Sequence, residues 1–348
     1  MYKDLMQLHS NQKILIFEML KRGINVELLN KDLELIKTTY QGHVELIYDR
    51  DSSIMPYSLS VLAGDKGITK KILNQNNISV PFGEVFSVND EDYIIEASKI
   101  IGFPLTIKPV YGSHGYDVYL NLNSEEEILN ALNKIKTKYG NNKPILIEEF
   151  FDSKEYRVFI TVNGDYAVLH RDPAHIYGDG ISTIEMLIKQ ENYKRMNPRV
   201  NAMCEIYVDE ELNKYISKQG FDMNFIPAEG EKVYLRPNSN VAMGGTCIDK
   251  TDEVDLSVLE IGMQVLKAFP GLPYVGIDFM TKDISKKQDK DSYRIIEINT
   301  VPGVHMHYAP AIGESRNIAS YMVDLIYPET KILEKSDNNE YQKSIRKV

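Results

Sequence analysis

Ile295-Ile296-Glu297-Ile298-Asn299-Thr300-Val301-Pro302-Gly303 reads as a buried strand running into a turn. Strand side chains alternate with period two, so Glu297 and Asn299 share a face. A carboxylate and an amide oxygen side by side at a strand end are hard oxygen donors of the kind Mg²⁺ takes. Asp278, inside the apolar run Tyr274-Val275-Gly276-Ile277-Asp278-Phe279, offers a third oxygen from a second expected strand. Nucleotide phosphates commonly complete such a shell, so the pattern points to an enzyme that uses ATP. Taken alone, a Glu-x-Asn strand end is equally an ordinary strand terminus. Asp278 and the motifs upstream favour the metal reading.

The chain has 348 residues, enough for two or three subdomains around one catalytic unit. Hydrophobic residues make up 43% and charged residues 26%, as in ordinary soluble proteins. A net charge of −10 argues against a nucleic-acid partner, which would need a basic face. Cys204 and Cys247 are too few for a disulfide framework and read as small, half-buried thiols. No apolar run approaches the ~20 residues of a membrane span, so no membrane partner is expected. The start, Met1-Tyr2-Lys3-Asp4-Leu5, lacks the basic-then-apolar layout of a signal peptide, and a cytoplasmic protein is expected.

Strand and helix signals alternate, with hairpins in the middle, which gives an α+β layout. Residues 1–60 read as a small α/β piece. Leu15, Phe17 and Leu20 mark a helix, Gly23 its C-cap, and Ile24, Val26, Leu28 and Leu29 a strand. Residues 61–145 would form a first, lid-like subdomain, 146–330 a second one with the metal site, and 331–348 a polar tail. Asp65–Asn76, the segment opened by Asn89-Asp90-Glu91-Asp92 and the one opened by Asn123-Ser124-Glu125 read as helices. Asn163-Gly164 reads as a hairpin turn between Tyr156–Ile160 and Tyr166–His170. Thr281 to Ser292 reads as the solvated loop joining the two ligand-bearing strands.

Further segments carry chemistry. Lys108, in Ile107-Lys108-Pro109, precedes the loop Gly112-Ser113-His114-Gly115. Lysine beside such a loop neutralises phosphate while backbone N–H groups cradle it; it is equally a surface lysine before a turn. Lys66, with Lys70, offers a second cation at a helix start. Glu148-Glu149-Phe150-Phe151, with Glu155, forms either an adenine hinge whose last carboxylate takes a ribose hydroxyl, or an exposed acidic turn. Arg236, ahead of Met243-Gly244-Gly245-Thr246, suits an oxyanion site or a surface loop. Arg157 and Arg171 are structural ion-pair partners or substrate clamps. His305 and His307 are spaced for one face of a strand and mimic a metal pair, although no third soft ligand lies near.

In chain order these segments resemble the ATP-grasp superfamily. Those that carry the resemblance are the Asp65-Lys66 helix, Lys108-Pro109, Glu148 to Glu155, Arg236, Asp278 and Glu297-x-Asn299. The closer resemblance is to the ATP-grasp part of cyanophycin synthetase and of bifunctional glutathione synthetases. It rests on Pro173 to Ile184, on Val233 to Asp252 with Gly244-Gly245-Thr246, and on Glu297 to Pro310 continued by Arg316-Asn317. The resemblance implies an ATP-grasp fold with the nucleotide held between two α+β subdomains. It also implies a carboxylate–amine ligase that makes an amide through an acylphosphate, acting on amino-acid or small-peptide substrates.

Asp278, Glu297 and Asn299 would then hold two Mg²⁺ ions, and Lys66 and Lys108 would bind phosphates with Ser113, His114 and Gly115. Glu148 and the backbone of Glu149 to Phe151 would read adenine, and Glu155 the ribose. Arg236 would stabilise the transferred phosphoryl group. Gly244, Gly245, His305, His307 and Arg316, with Arg157 and Arg171, fall on the substrate side. A homodimer or homotetramer is the family habit.

The chain departs from cyanophycin synthetase in lacking a large N-terminal domain and a Mur-ligase-like C-terminal one, and from the bifunctional enzymes in lacking a glutamate–cysteine ligase half. Tyr116-Asp117 stands where a small residue and glycine are usual, and Met243 replaces a small hydroxyl residue. A glutathione-synthetase-like ligase, a modifier of ribosomal peptides and a nucleotide-binding regulatory module are the competing readings.

Overall fold

The computed structural model describes residues 5, 7–112, 117–196 and 203–331. The chain opens with helix α1 (Ser10–Lys21) and a three-stranded antiparallel meander of β1 (Asn25–Asn30), β2 (Leu35–Tyr40) and β3 (His43–Tyr48). Helices α2 (Tyr57–Gly64) and α3 (Lys66–Gln75) follow. A lobe is then built from β4 (Gly83–Ser87), α4 (Glu91–Ile101), β5 (Leu105–Pro109), β6 (Tyr119–Leu122), α5 (Glu125–Tyr139) and β7 (Pro144–Glu149). Strands β8 (Lys154–Thr161) and β9 (Tyr166–Asp172) form the expected hairpin, and Gly164 takes φ +85° in its turn.

Next comes a small lobe of β10 (His175–Tyr177), α6 (Ile184–Arg195), α7 (Glu210–Lys218) and β11 (Lys232–Tyr234). The chain closes with β12 (Thr246–Asp249), α8 (Leu256–Ala268), β13 (Tyr274–Thr281), β14 (Tyr293–Asn299), the one-turn α9 (His305–Tyr308) and α10 (Ile318–Ile326). Among the described residues no helix is long and apolar enough to cross a membrane.

Local chemistry explains the helix starts. Asp65 caps α3 by accepting from the Ile68 N–H at 2.9 Å, and Ser124 caps α5 by accepting from the Glu127 N–H at 3.2 Å. Glu127 reaches back to the Asn123 N–H at 2.7 Å, a reciprocal arrangement at the first turn. Helix α1 buries Gln12, Leu15, Ile16 and Met19, a stripe at three- and four-residue spacing. Phe17 and Leu20, which helped mark the helix in the sequence, lie off this stripe and are 43% and 37% exposed.

Three cores hold the molecule. The first joins α1, the meander, Leu73 of α3, residues from both faces of the five-stranded sheet β12-β9-β8-β13-β14, α8 and α10. The second lies under the four-stranded sheet β4-β7-β5-β6 with Ile94, Ile128, Leu132 and Ile135 from its two helices. The third fills the small lobe around Ile176, Ile184, Leu212 and Val233. Residues 1–60 therefore share a core with the large sheet. Strand β7 pairs with β4 and β5, so the expected division at 145/146 cuts through a strand of the first lobe, which ends at Glu149. Glu329 accepts from the His43 imidazole at 2.8 Å when that ring is protonated there.

The meander is tied to the C-terminal helix region by polar contacts. The hydroxyls of buried Thr38 and Tyr327 lie 2.6 Å apart, and Arg22 reaches Asp324 at 2.5 Å. Tyr327→Phe leaves the Thr38 hydroxyl buried without its partner. That costs about 1–3 kcal/mol, read as a lower urea midpoint with unchanged slope. An unchanged midpoint would separate the meander from the main core.

Candidate active site

The antiparallel register of β13 sets Asp278 opposite both Glu297 on β14 and Arg157 on β8, and Gly276 opposite Asn299. Directly opposed residues share a face, so Arg157, Asp278, Glu297 and Asn299 line one side of the sheet. Asn299 Nδ2 lies 3.5 Å from Glu297 Oε1. A Cβ on Gly276 would stand 3.0 Å from Arg157 Nη1 and from Pro302 Cβ, so a side chain there would crowd the arginine.

Asp278 is buried and clamped by two guanidinium groups. Arg157 Nε lies 2.7 Å from Oδ1, a charge contact without hydrogen-bond alignment, and Arg171 Nη2 donates to Oδ2 at 2.6 Å. Burial alone would raise the Asp278 carboxyl, but the charges of Arg157 and Arg171 outweigh it and hold the group below its ordinary value. Arg171 also meets Glu155, whose other oxygen accepts from the Ser239 hydroxyl. Glu155, expected on a ribose, is thus engaged by Arg171 and Ser239. Of the two readings for Arg157 and Arg171, the geometry displays ion pairing.

The lysines approach from the other side. Lys66 Nζ donates to the Gly112 carbonyl at 2.9 Å and lies 3.4 Å from Glu297 Oε2. The first turn of α3 and the residue Gly112 at the start of the glycine loop therefore meet β14. Lys108 is 3% exposed, its Nζ 2.5 Å from Glu148 Oε1, and Lys70 Nζ lies 2.5 Å from Glu148 Oε2. Glu148, expected to read adenine, instead spends its carboxylate on two lysines, on the face of β7 opposite the lobe's apolar core. Its position explains this: it sits on β7 opposite Thr106 and Gly83, inside the sheet. Burial pushes the Glu148 carboxyl up, and Lys108 and Lys70 together pull it below its ordinary value. Burial lowers the Lys70 ammonium. Ser113, His114 and Gly115, like Tyr116, lie outside the described residues.

The hinge after β7 has fewer free groups than expected. The Glu149 N–H donates to Phe82 O at 2.8 Å and the Phe150 N–H to Pro104 O at 3.0 Å. The Phe151 N–H is the first one there without a backbone partner among the described residues. Glu149 Oε1 accepts from Arg294 Nε at 2.7 Å and from the Phe82 N–H at 3.1 Å. Arg294 was not legible as a site residue.

Arg236 is buried, and its Nη2 donates to Asp209 Oδ2 at 2.7 Å and to Tyr207 O at 2.9 Å. The structure places it with the small lobe, two residues short of the Asn238–Ser239 turn that touches Glu155. Gly244 takes φ +97°, and a Cβ on Gly245 would stand 2.9 Å from the Ser239 and Asn240 carbonyls. Buried Arg195 donates to Gly244 O at 2.7 Å and to Cys204 O at 3.0 Å, a bracing role that no sequence motif signals.

His305 and His307 lie on α9, a helical turn rather than a strand. Two residues apart on a helix point about 200° from each other, so they do not form a pair. His307 is wholly buried beside Phe159, its ring nitrogens have no partner among the described residues, and burial pushes it down to about 3. Arg316 is taken by Asp249 at 2.8 Å and Asp252 at 2.6 Å.

The donor set fits magnesium held jointly with phosphates. Two carboxylates and an amide converge from adjacent strands, all hard oxygens. Among the described residues no group of three or more His, Cys, Asp or Glu side chains forms a self-sufficient metal cage. Water and phosphate oxygens can complete a magnesium shell, and Lys66 stands beside Glu297 where an anion would lie.

Asp278→Asn would leave two buried guanidinium groups without a counter-charge. Breaking a buried pair from one side costs about 3–5 kcal/mol, so the ligand-free variant should melt well below the parent, whereas Glu297→Gln should not. Acid acts through the same groups. Glu148 and Asp278 have lowered folded-state values, so their contribution is present above the ordinary 4.5 and 3.8 and is lost as pH falls through the lowered values. Urea midpoints at pH 7, 5, 4 and 3 should be level to pH 5 and then drop. A stability that rises on acidification would contradict the clamp.

A family model described as the RimK-like ATP-grasp domain matches residues 63–174. Cyanophycin synthetase of Geminocystis herdmanii is 35% identical over 273 residues, covering 77% of this chain and 30% of that protein. The glutathione biosynthesis bifunctional protein of Clostridium perfringens is 31% identical over 335 residues, covering 94% of this chain and 42% of that protein. The crystal structure of a bifunctional glutathione synthetase from Pasteurella multocida superposes with a TM-score of 0.69 at 25% identity, covering 93% of this chain and 44% of that one. The chain thus spans less than half the length of these relatives. It carries an ATP-grasp fold, with a RimK-like match over residues 63–174, and is similar to cyanophycin synthetase and to bifunctional glutathione synthetase.

Proposed function

We propose that this chain is an ATP-dependent carboxylate–amine ligase that forms an amide bond on an amino-acid or small-peptide substrate, releasing ADP and phosphate. The observation that carries the reading is the meeting of Lys66 with Glu297, 3.4 Å apart, at the edge lined by Asp278 and Asn299. There a phosphate-binding cation and metal-binding oxygens face one space. The similarity to amide-forming relatives supports the same reading.

Asp278, Glu297 and Asn299 would hold the metal, two Mg²⁺ ions in this reading. Bound there, magnesium supplies charge neutralisation across the phosphates. The chain does the rest by placement. Lys66 and Lys108 neutralise phosphate oxygens, and Lys108 is steered by Glu148 from below. Arg157 and Arg171 fix the Asp278 rotamer so that its oxygens are aimed before any ligand arrives. The substrate carboxylate attacks the γ-phosphorus, the bond to the ADP oxygen breaks, and an acylphosphate forms. An amine then attacks that carbonyl and phosphate leaves with the bonding pair, while the amine loses its proton. Such transfer needs alignment and electrostatic stabilisation more than covalent help. The Gly244–Gly245 turn, braced by Arg195, lies on the acceptor side in this reading, and Arg236 reaches the transferred phosphoryl group only by leaving Asp209.

Incubation with Mg-ATP and a panel of amino acids and short acidic peptides, read by ADP release and product mass, tests the proposal. Substrate-dependent ADP with a product equal to two substrates minus water supports it. Nucleotide binding without ADP from any pair would favour a regulatory nucleotide-binding module. Glu297→Gln should fold normally and lose at least ~10²-fold in turnover, the scale of one electrostatic group. Near-normal turnover in that variant would overturn the metal assignment.

A further inference from the structure

Strand β14 does not run in simple register with β13. Asp278 faces Glu297, but Phe279 faces Ile295 and Met280 faces Arg294. One extra residue is inserted on β14, a bulge. Without it, Arg294 and Glu297, an odd number of residues apart, would point to opposite faces. With it, Arg294 turns to the same side as Glu297 and Asp278.

On that side Arg294 grips the hinge that leads out of β7. Its Nε donates to Glu149 Oε1 at 2.7 Å, and its guanidinium carbon lies 4.8 Å from the centre of the Phe151 ring. Its Nη1 donates to the carbonyls of Lys290 at 3.0 Å and Tyr293 at 2.8 Å, so the gripping group is itself held. The other connection into the lobe is anchored nearby. The Phe82 N–H donates to the same Glu149 oxygen at 3.1 Å, and the Ile295 N–H donates to Ser79 O at 2.9 Å. Both segments that join the four-stranded lobe to the rest of the molecule thus converge on the first residues of β14.

We propose that Arg294 is a positioning residue that pins the Glu149–Phe151 hinge and thereby sets the preference for adenine over guanine. The inference rests on the ATP reading given above. Arg294 acts through Glu149 and Phe151, with the planar guanidinium both paired and stacked. The Phe151 N–H is the hinge donor left over for a base. Adenine presents an acceptor at N1, whereas guanine presents an N–H donor there. Against a fixed donor, guanine leaves two donors facing each other, which is costly in a buried site. A fixed polar group rejects the mismatched analogue, and a slack one lets it shift and bind.

The test compares the parent with Arg294→Met and Arg294→Lys by calorimetry, using Mg-ATP, Mg-GTP and Mg-tripolyphosphate. Tripolyphosphate probes the phosphate half alone. The parent should prefer ATP. Arg294→Met should bind ATP at least ~10-fold more weakly, a single lost pinning interaction at ~1.4 kcal/mol, with GTP and tripolyphosphate unchanged, so that the ATP/GTP ratio narrows. Arg294→Lys, which keeps the charge but not the planar stack, should fall between the two. Equal weakening of all three probes would make Arg294 a general support of the lobe and overturn the proposal. Unchanged ATP binding in a folded Arg294→Met variant would overturn it as well. A parent that binds tripolyphosphate but shows no preference among nucleotides would sink the hinge inference while leaving the phosphate site standing. A parent that binds none of the three would overturn the ATP reading and this inference with it.

Discussion

A single buried carboxylate, Asp278 between Arg157 and Arg171, organises the face of the sheet on which everything else converges. An ionised carboxylate without partners would be prohibitively costly there. The two arginines come from neighbouring strands, β8 and β9, and each is in turn constrained. Arg171 is shared with Glu155, which is tied to Ser239 of the small lobe. Arg157 packs closely over Gly276, where a side chain would crowd it. The clamp therefore links sheet, small lobe and ligand-bearing strand through charge, and it presents Glu297 and Asn299 beside a group whose geometry is already set.

A second buried carboxylate plays the matching part in the four-stranded lobe. Glu148 divides its oxygens between Lys70 and Lys108. Two like charges brought together in a dry interior need such a counter-ion. The cation that the sequence points to as phosphate-binding is thus stored in an orientation fixed by the sheet. Lys66 is the complementary case: it is less tied and lies between the Gly112 carbonyl and Glu297. Of the expected phosphate-binding cations, it is the one that stands directly beside Glu297.

The parts legible in the sequence were those carried by local rules. Period-two alternation placed Glu297 with Asn299, and an apolar run bracketed Asp278 as a strand residue. Asp65 and Ser124 announced their helices by side-chain capping. What escaped depended on long-range or irregular geometry. Arg294 could not be put on the functional face, because strict alternation puts it on the other one and only the bulge reverses that. Glu148 looked like a hinge residue because its burial is decided by pairing with β4 and β5, strands far off in the chain. Arg236 found Asp209 and Arg195 found Gly244 across loops that no periodicity describes. His305 and His307 misled because the turn after Pro302-Gly303 is helical, so a strand spacing had no meaning there.

The most direct test of the account is a crystal structure of this chain with Mg²⁺ and a non-hydrolysable ATP analogue. The account predicts metal ions bound at ~2.0–2.1 Å, the magnesium–oxygen distance, to oxygens of Asp278, Glu297 or Asn299. It also predicts Lys66 and Lys108 on phosphate oxygens and the base against Phe151. A nucleotide bound away from β13 and β14, or a metal held without any of those three side chains, would contradict it.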